Sequence, residues 1–421
     1  MSSNSSPLPG RPWTHWCEIA CCYSVWWNKR REPKHEDSRM KFWLGWATGL
    51  ALMMGVVVFG YSQWNLRFYQ GYIGDRVQLL AELRRGALQE YFTTAQAELS
   101  FWSRNEGIVQ SQQRLNEIWA AEGQGFDERL RELYIGSNPH PADFLLNLDD
   151  AGDGSAYSEL HSVTHPIARK FVTRRGYYDF FMIGPKGDIY YTVEKESDFG
   201  TNLLDGPWQE SGLAQVFRKA RDGAASRVIA VSDMEKYGPS ADAPAIFIAA
   251  PILSAEDEFL GVLALQLPTD HILSIMNSSD GMGNSGETYV VGEDFLMRSN
   301  SRFSEQSTVL IQQVESESVE LALAGEQGQL VIDDYRGVPV MSGFAPVNVG
   351  KHRWAVIAEF DMAEIAEFAA GERPALSGAL LLIYGLSLWS VWYWRGRSLP
   401  QESNDLPSVE LGDGGDAGGA G

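Results

Sequence analysis

The chain has 421 residues, 44% of them hydrophobic and 12% aromatic, which excludes a disordered polymer and allows two to three domains of about 150 residues each. Its 34 Lys and Arg stand against 55 Asp and Glu, a net charge of −21, which excludes the basic footprint of a nucleic-acid-binding protein. The only three cysteines lie in Cys17-x3-Cys21-Cys22, which excludes a disulfide scaffold.

Residues 1–41 form a basic tail with Arg11, Lys29, Arg30, Arg31, Lys34, Arg39 and Lys41. Within it Trp13, Trp16, Trp26 and Trp27 precede Lys29-Arg30-Arg31, the pattern of an amphipathic piece on an inner leaflet. His15, Cys17, Cys21 and Cys22 match no standard zinc spacing, so no metal is expected. Residues 42–61 then run without a charge, as do residues 375–394. Each run is long enough, at about 1.5 Å per residue, to span about 30 Å of hydrocarbon as a helix. Aromatic residues at their ends (Trp43, Tyr61, Trp64; Trp389, Trp392, Trp394) fit interfacial belts. The basic flanks, which include Arg395 and Arg397, are expected in the cytoplasm. Residues 65–373 are then periplasmic or extracellular, on a two-pass protein of the inner (plasma) membrane.

Residues 62–134 read as a helical stalk. No proline occurs from Trp64 to Ile135, and Val77, Leu80, Leu83, Leu88 and Phe92 recur at helical spacing. From about residue 177 the pattern changes to strands. Tyr178–Ile183 and Ile189–Val193 flank the turn Gly184-Pro185-Lys186-Gly187-Asp188. A helix over 213–220 follows, then strands over 227–232, 245–253 and 261–266. A second copy is expected after it, with a hairpin of 287–291 and 296–300, a helix over 314–324, and strands over 329–333, 338–344 and 354–360. Ala250-Pro251 in the first copy matches Ala345-Pro346 in the second. The fold class is α+β, with two antiparallel-sheet modules: a distal one over 135–280 and a membrane-proximal one over 281–373. The tail 395–421 is Gly- and Asp-rich and reads as disordered.

YYDFFMIGPKGDIYYTVEKESDFGTNLLDGPWQESGLAQVFRKA (177–220) resembles the membrane-distal module of double Cache sensor domains, and FIAAPILSAEDEFLGVLALQLPTDHI (247–272) resembles its end. GNSGETYVVGEDFLMRSNSRF (283–303) and DYRGVPVMSGFAPVNVGKHRWAVIAEFD (334–361) resemble the membrane-proximal module. The resemblance is to the branch on bacterial chemoreceptors, nucleotide cyclases and sensor kinases, and covers roughly 140–365. It implies two stacked PAS-like folds, a small-molecule pocket in the distal module, dimerisation along the stalk, and signalling by small shifts of the second transmembrane helix. Such sensors continue into a cytoplasmic output domain, whereas 27 residues follow Trp394 here. A separate cytoplasmic or membrane signalling partner is therefore expected. The rival expectation is a structural or assembly membrane protein that keeps the Cache fold without binding a ligand.

The implied pocket draws its candidates from the first hairpin (Tyr178, Tyr190, Thr192), the following loop (Phe199, Asn202), the segment after the third strand (Asp233, Tyr237) and the fourth strand (Phe247). The resemblance gives Asp233 the part of an ammonium partner. The Arg-x-Trp-Tyr patch that holds a carboxylate in amino-acid receptors is absent, and Arg174-Arg175-Gly176-Tyr177-Tyr178 is a loose echo of it. The ligand is left open between amine, amino acid and carboxylate. Asp198-Phe199-Gly200 reads as a turn, since no other kinase motif accompanies it. His161 and His165 read as a solvated surface pair cut off by Pro166. No nucleophile–base pair or phosphate loop is present, so neither an enzyme nor a cofactor is expected.

Overall fold

The computed structural model describes residues 34–278, 281–371 and 373–397. The aromatic segment 13–27 with its cysteines and the tail after 397 lie outside them. The chain divides into two units. One holds residues 66–369, the other the chain on either side of it.

In the second unit, helix α1 (Lys34–Ser103) contains the first apolar run and helix α9 (Arg373–Arg397) the second. Both are long and apolar enough to cross a membrane, and neither apolar window is buried. Leu52, Val56 and Phe59 on the one, and Leu381, Leu382 and Trp392 on the other, are exposed.

In the first unit, α1 ends at Ser103, so the expected stalk over 62–134 is not one helix. Asn105 accepts the Gly107 N–H at 3.0 Å and so caps a new helix, α2 (Glu106–Glu122). Helix α3 (Phe126–Arg131) continues into one π turn. Helix α4 (Ala156–Arg175) starts on the Ser155 cap and stops at Gly176, which adopts a left-handed conformation (φ 73°). Pro166 sits inside α4. The ring removes one helical hydrogen bond, yet the buried row Tyr157, His161, His165, Ala168 and Val172 holds the helix against the sheet.

The distal sheet contains β1 (Asp179–Ile183), β2 (Ile189–Tyr191), β3 (Ala230–Val231), β4 (Glu235–Tyr237), β5 (Ala243–Leu253) and β6 (Phe259–Leu267). Its order is β2-β1-β6-β5-β3, with β4 also on β5, and every pairing is antiparallel. Both faces are covered. Phe180, Met182, Ile246 and Ile248 meet Leu88, Phe92 and Leu99 of α1 and Ile108 and Leu115 of α2. Phe181, Phe247 and Ala249 meet Leu213, Val216 and Phe217 of helix α5 (Gly212–Asp222). This two-sided burial is why these strands read as continuous apolar runs.

Helix α6 (Thr269–Met276) leads to the proximal sheet of β7 (Glu287–Val291), β8 (Gly328–Asp333), β9 (Pro339–Val349) and β10 (His352–Asp361), in the order β7-β10-β9-β8. Helix α7 (Glu317–Ala324) covers one face, and Ile73, Val77 and Ala81 of α1 pack on the other. The approach of α1 is close, since a Cβ on Gly343 would lie 2.5 Å from the Gln78 nitrogen. Helix α8 (Met362–Ala370) ends the unit. The expected strand over 296–300 forms no ladder. It makes only the isolated bridges Val291–Met297 and Leu296–Gln313, because Phe295 turns the backbone (φ 62°) and Arg298 leaves toward Asp233. The strand expected over 227–232 shortens to Ala230–Val231.

Candidate functional site

Polar side chains are buried where the first strand of the distal sheet meets the loop after β2. Asp179 opens β1 and is fully buried. Its Oδ1 accepts the backbone N–H groups of Phe180 (2.6 Å), Val193 (2.7 Å) and Glu194 (3.1 Å), which pins the chain as it leaves β2. Its Oδ2 is buried without a partner. Asp198 is also fully buried. Its Oδ2 accepts the Tyr237 hydroxyl at 2.6 Å, while Oδ1 has no partner. Gln266 of β6 stands opposite Asp179 in register. Its amide donates to Ser240 Oγ at 3.2 Å, and its carbonyl oxygen is unpartnered. The Trp208 indole N–H is likewise buried and unpartnered. Aromatic rings complete this group, with Tyr237 edge-on to Phe247 at 4.7 Å and Phe247 6.2 Å from Phe181.

Lys195 enters from the same loop with a left-handed backbone (φ 62°) and is 1% exposed. Its backbone N–H donates to Thr192 Oγ1 at 3.0 Å, and its ammonium donates to the Thr192 carbonyl. Burial pulls this ammonium down to a pKa of about 7, against the opposing pull of Asp179, Glu194 and Asp198. Burial pushes Asp198 up to about 7 and Glu194 up to about 7, and holds Asp179 well above the usual carboxylate range.

The two histidines are not a surface pair. His161 and His165 stack at 4.4 Å inside the distal module. His161 Nδ1–H donates to the Asp149 carbonyl at 2.8 Å, which leaves Nε2 as a buried, unpartnered lone pair. His165 Nε2–H donates to the Leu146 carbonyl and Nδ1 accepts the Tyr191 hydroxyl, both at 2.6 Å. Burial lowers both pKa values, that of His165 to about 3. Helical spacing was the right geometry for this pair. Pro166, which the helix tolerates, hid it.

Tyr237 and Phe247, expected from the sequence, belong to the buried group. Tyr178 reaches its rim, donating to Glu196 Oε1 at 2.6 Å. Phe199 and Thr192 lie beside Lys195, while Tyr190 packs on Trp119 at 4.5 Å. Asn202 locks the turn before it, donating to Asp188 Oδ1 at 2.8 Å and accepting the Leu204 N–H at 2.7 Å. It also lines a separate polar cleft of about 340 Å³ with Asp127, Arg131 and Asp188. Asp233 is committed to the proximal module. Arg298, whose side chain is 1% exposed, donates to it at 2.9 Å, and the buried Trp354 indole donates at 2.8 Å. These contacts hold Asp233 charged, below the usual carboxylate range against its own desolvation.

Asp179, Lys195, Asp198, Trp208 and Gln266 were missed. A signal existed for the first, since Asp179 is a charge inside the apolar run Tyr177–Ile183 and such residues are seldom buried without a task. Among the described residues no cluster of three or more His, Cys, Asp or Glu is arranged to hold a metal. A largely apolar cavity of about 390 Å³ lies between α2 and α4, lined by Trp102, Ile108, Leu160 and Phe180.

No family model matches the chain, and no curated protein matches it. Solved structures do. The ligand-binding domain of the Pseudomonas aeruginosa PAO1 amino acid chemoreceptor PctB, in complex with L-Arg, is 12% identical, with 75% of this chain and 99% of that one covered and a TM-score of 0.42. That of the Pseudomonas fluorescens chemoreceptor CtaA, in complex with L-alanine, is 13% identical over 69% and 96%, with a TM-score of 0.38. That of the P. aeruginosa PAO1 chemoreceptor PctC, in complex with GABA, is 12% identical over 69% and 99%, with a TM-score of 0.39. Likeness this loose transfers neither ligand nor role.

Proposed function

We propose that this chain is a membrane-anchored sensor of the double Cache type, which binds a small molecule in its distal module and passes a change of conformation to a signalling partner. The observation that carries the reading is the set of buried, unpartnered acceptors, Asp179 Oδ2, Asp198 Oδ1 and Gln266 Oε1, beside Tyr237 and Phe247. A buried acceptor without a donor is costly, and a ligand bearing N–H groups removes that cost. The exposed apolar runs within α1 and α9 support two membrane spans, with both termini cytoplasmic and the unit 66–369 outside. The exposed row Phe68, Tyr72, Leu79 and Leu83 on α1 supports a homodimer paired along that helix. A ligand shifts a signalling equilibrium only by its differential affinity for the two states, so the partner must read that difference.

Thermal-shift screening of the full chain in detergent, with amines, amino acids and carboxylates, tests this. Compounds carrying an ammonium should stabilise the wild type, by about 2.7 kcal/mol at a hundredfold excess over Kd. Asp198→Asn should remove the effect. A screen without a single stabilising compound would discard ligand sensing in favour of a structural or assembly role.

A further inference from the structure

The ammonium of Lys195 has unusual company for a buried charge. Among the described residues it hydrogen-bonds only to the Thr192 carbonyl. Around it stand three aromatic rings, with Nζ 4.3 Å from the centroid of Tyr191, 5.1 Å from Phe199 and 5.8 Å from Tyr134. Rings set this way attract a desolvated cation through their quadrupoles and recognise ligand ammonium groups. Asp179 and Asp198 act on Lys195 electrostatically without forming an ion pair with it among the described residues. The cation is delivered by a loop residue with φ 62°, a conformation that a side chain other than glycine's adopts only when its surroundings enforce it.

We propose that the cage of Tyr134, Tyr191 and Phe199 is a primary-ammonium subsite which the chain fills with its own Lys195, and that an external primary amine binds by taking that place. The inference rests on the sensor reading and names its ligand class. A primary ammonium brings N–H donors, one of which suits the Thr192 carbonyl, and a positive charge that the three rings attract. A quaternary ammonium has no donor for that carbonyl.

The test uses the full chain in detergent at constant ionic strength. Lys195→Ala removes the side chain from Cγ to Nζ, a space that n-propylammonium fits, and n-propanol has nearly the same shape without the charge. Propylammonium should raise the melting temperature of Lys195→Ala and bind it about tenfold more tightly than wild type, while propanol and tetramethylammonium should do neither. Adding Asp198→Asn should reduce the gain by removing part of the electrostatic pull on the cage. Lys195→Gly also empties the cage, on a backbone angle that glycine accepts. It should also bind propylammonium more tightly than wild type, and it keeps the test open if the alanine variant does not fold. Rescue by propanol as strong as by propylammonium, or no gain in either variant, overturns the proposal. A wild type that responds to amines alongside variants that show no gain discards the cage and keeps the sensor. Variants that gain while wild type answers to no compound in the screen keep the cage as an ammonium site and discard the sensor.

Discussion

In the proximal sheet Glu287 and Glu359 face each other across β7 and β10, both buried. Each of their oxygens has a donor, from the Arg302 N–H (2.7 Å) and Tyr335 hydroxyl (2.8 Å) for Glu287, and from the Ser342 (3.0 Å) and Tyr289 (2.9 Å) hydroxyls for Glu359. In the distal sheet, built on the same order of strands, Asp179 and Asp198 each keep one oxygen without a donor, and a lysine is buried beside them. The two modules therefore differ in how their buried carboxyl oxygens are satisfied. The proximal one has closed its polar core on itself, which favours a single rigid state. The distal one leaves oxygens without donors, and on the sensor reading proposed above this is where a donor from outside would be received.

The largest effect should come from cutting the two modules apart. Asp233→Ala removes the carboxylate shared by Arg298 and Trp354 and strips the buried guanidinium of one of its two acidic partners, Asp294 being the other. It should cost about 3 kcal/mol, and denaturant unfolding should broaden or split into two transitions as the modules lose their link. A single transition with unchanged stability would show that the modules are not coupled through this residue.

The second effect is pH dependence, which should differ between the modules. Burial pushes Glu359 up to about 8, from an ordinary 4.5. The folded state thus keeps a proton that the unfolded state has lost, so stability from this group falls as pH rises from 4.5 to 8 and returns as pH falls. Glu287, also raised by burial, has the same sign. In the distal module Asp179, Asp198 and Glu194 act in this direction too, but His161 and His165 oppose them. Their lowered pKa values make the unfolded state the better proton acceptor below 6.5, so their contribution is lost as pH falls toward 3. Lys195, lowered to about 7, adds stability only as pH rises from there toward 10.5. Taking the protein from pH 8 to pH 5.5 should therefore strengthen amide protection in β7 and β10 by about 2 kcal/mol, whereas in β1 and β6 the gain from the carboxyls is offset in part by His161, His165 and Lys195. Glu359→Gln should flatten the proximal response. A flat response in β7 and β10 would contradict this reading.

The smallest effect should come from Asn202→Ala. It removes the side chain that joins Lys186, Asp188 and Leu204 across the turn beneath the site, and should cost about 1 kcal/mol with protection lost only near 186–204.

Much of the fold was legible in the sequence because its signals are local. The hairpin turn at Gly184–Asp188 works through Gly187 (φ 94°), β7 falls on its expected bounds, and Ala250-Pro251 and Ala345-Pro346 occupy equivalent strands, β5 and β9. What escaped depends on partners far along the chain. Asp233 resembles a ligand carboxylate until Arg298 and Trp354 are brought to it. The segment 296–300 has the composition of a strand but is recruited to that ion pair. Asp198 reads as part of a turn, and Lys195 carries no signal, because Tyr237 and Tyr134 come from far along the chain. Tyr237 and Phe247 were among the residues expected in the implied pocket, whereas Asp179, Lys195 and Asp198 were not.

The claim that the distal module receives the ligand is tested most directly by hydrogen exchange on the full chain, with and without the amine that stabilises it most. The account predicts slowed exchange at 179–183, 192–202 and 237–247, with the strand amides of β7, β9 and β10 unchanged. Protection confined to 287–361, or an identical exchange pattern at stabilising concentrations of the amine, would contradict it.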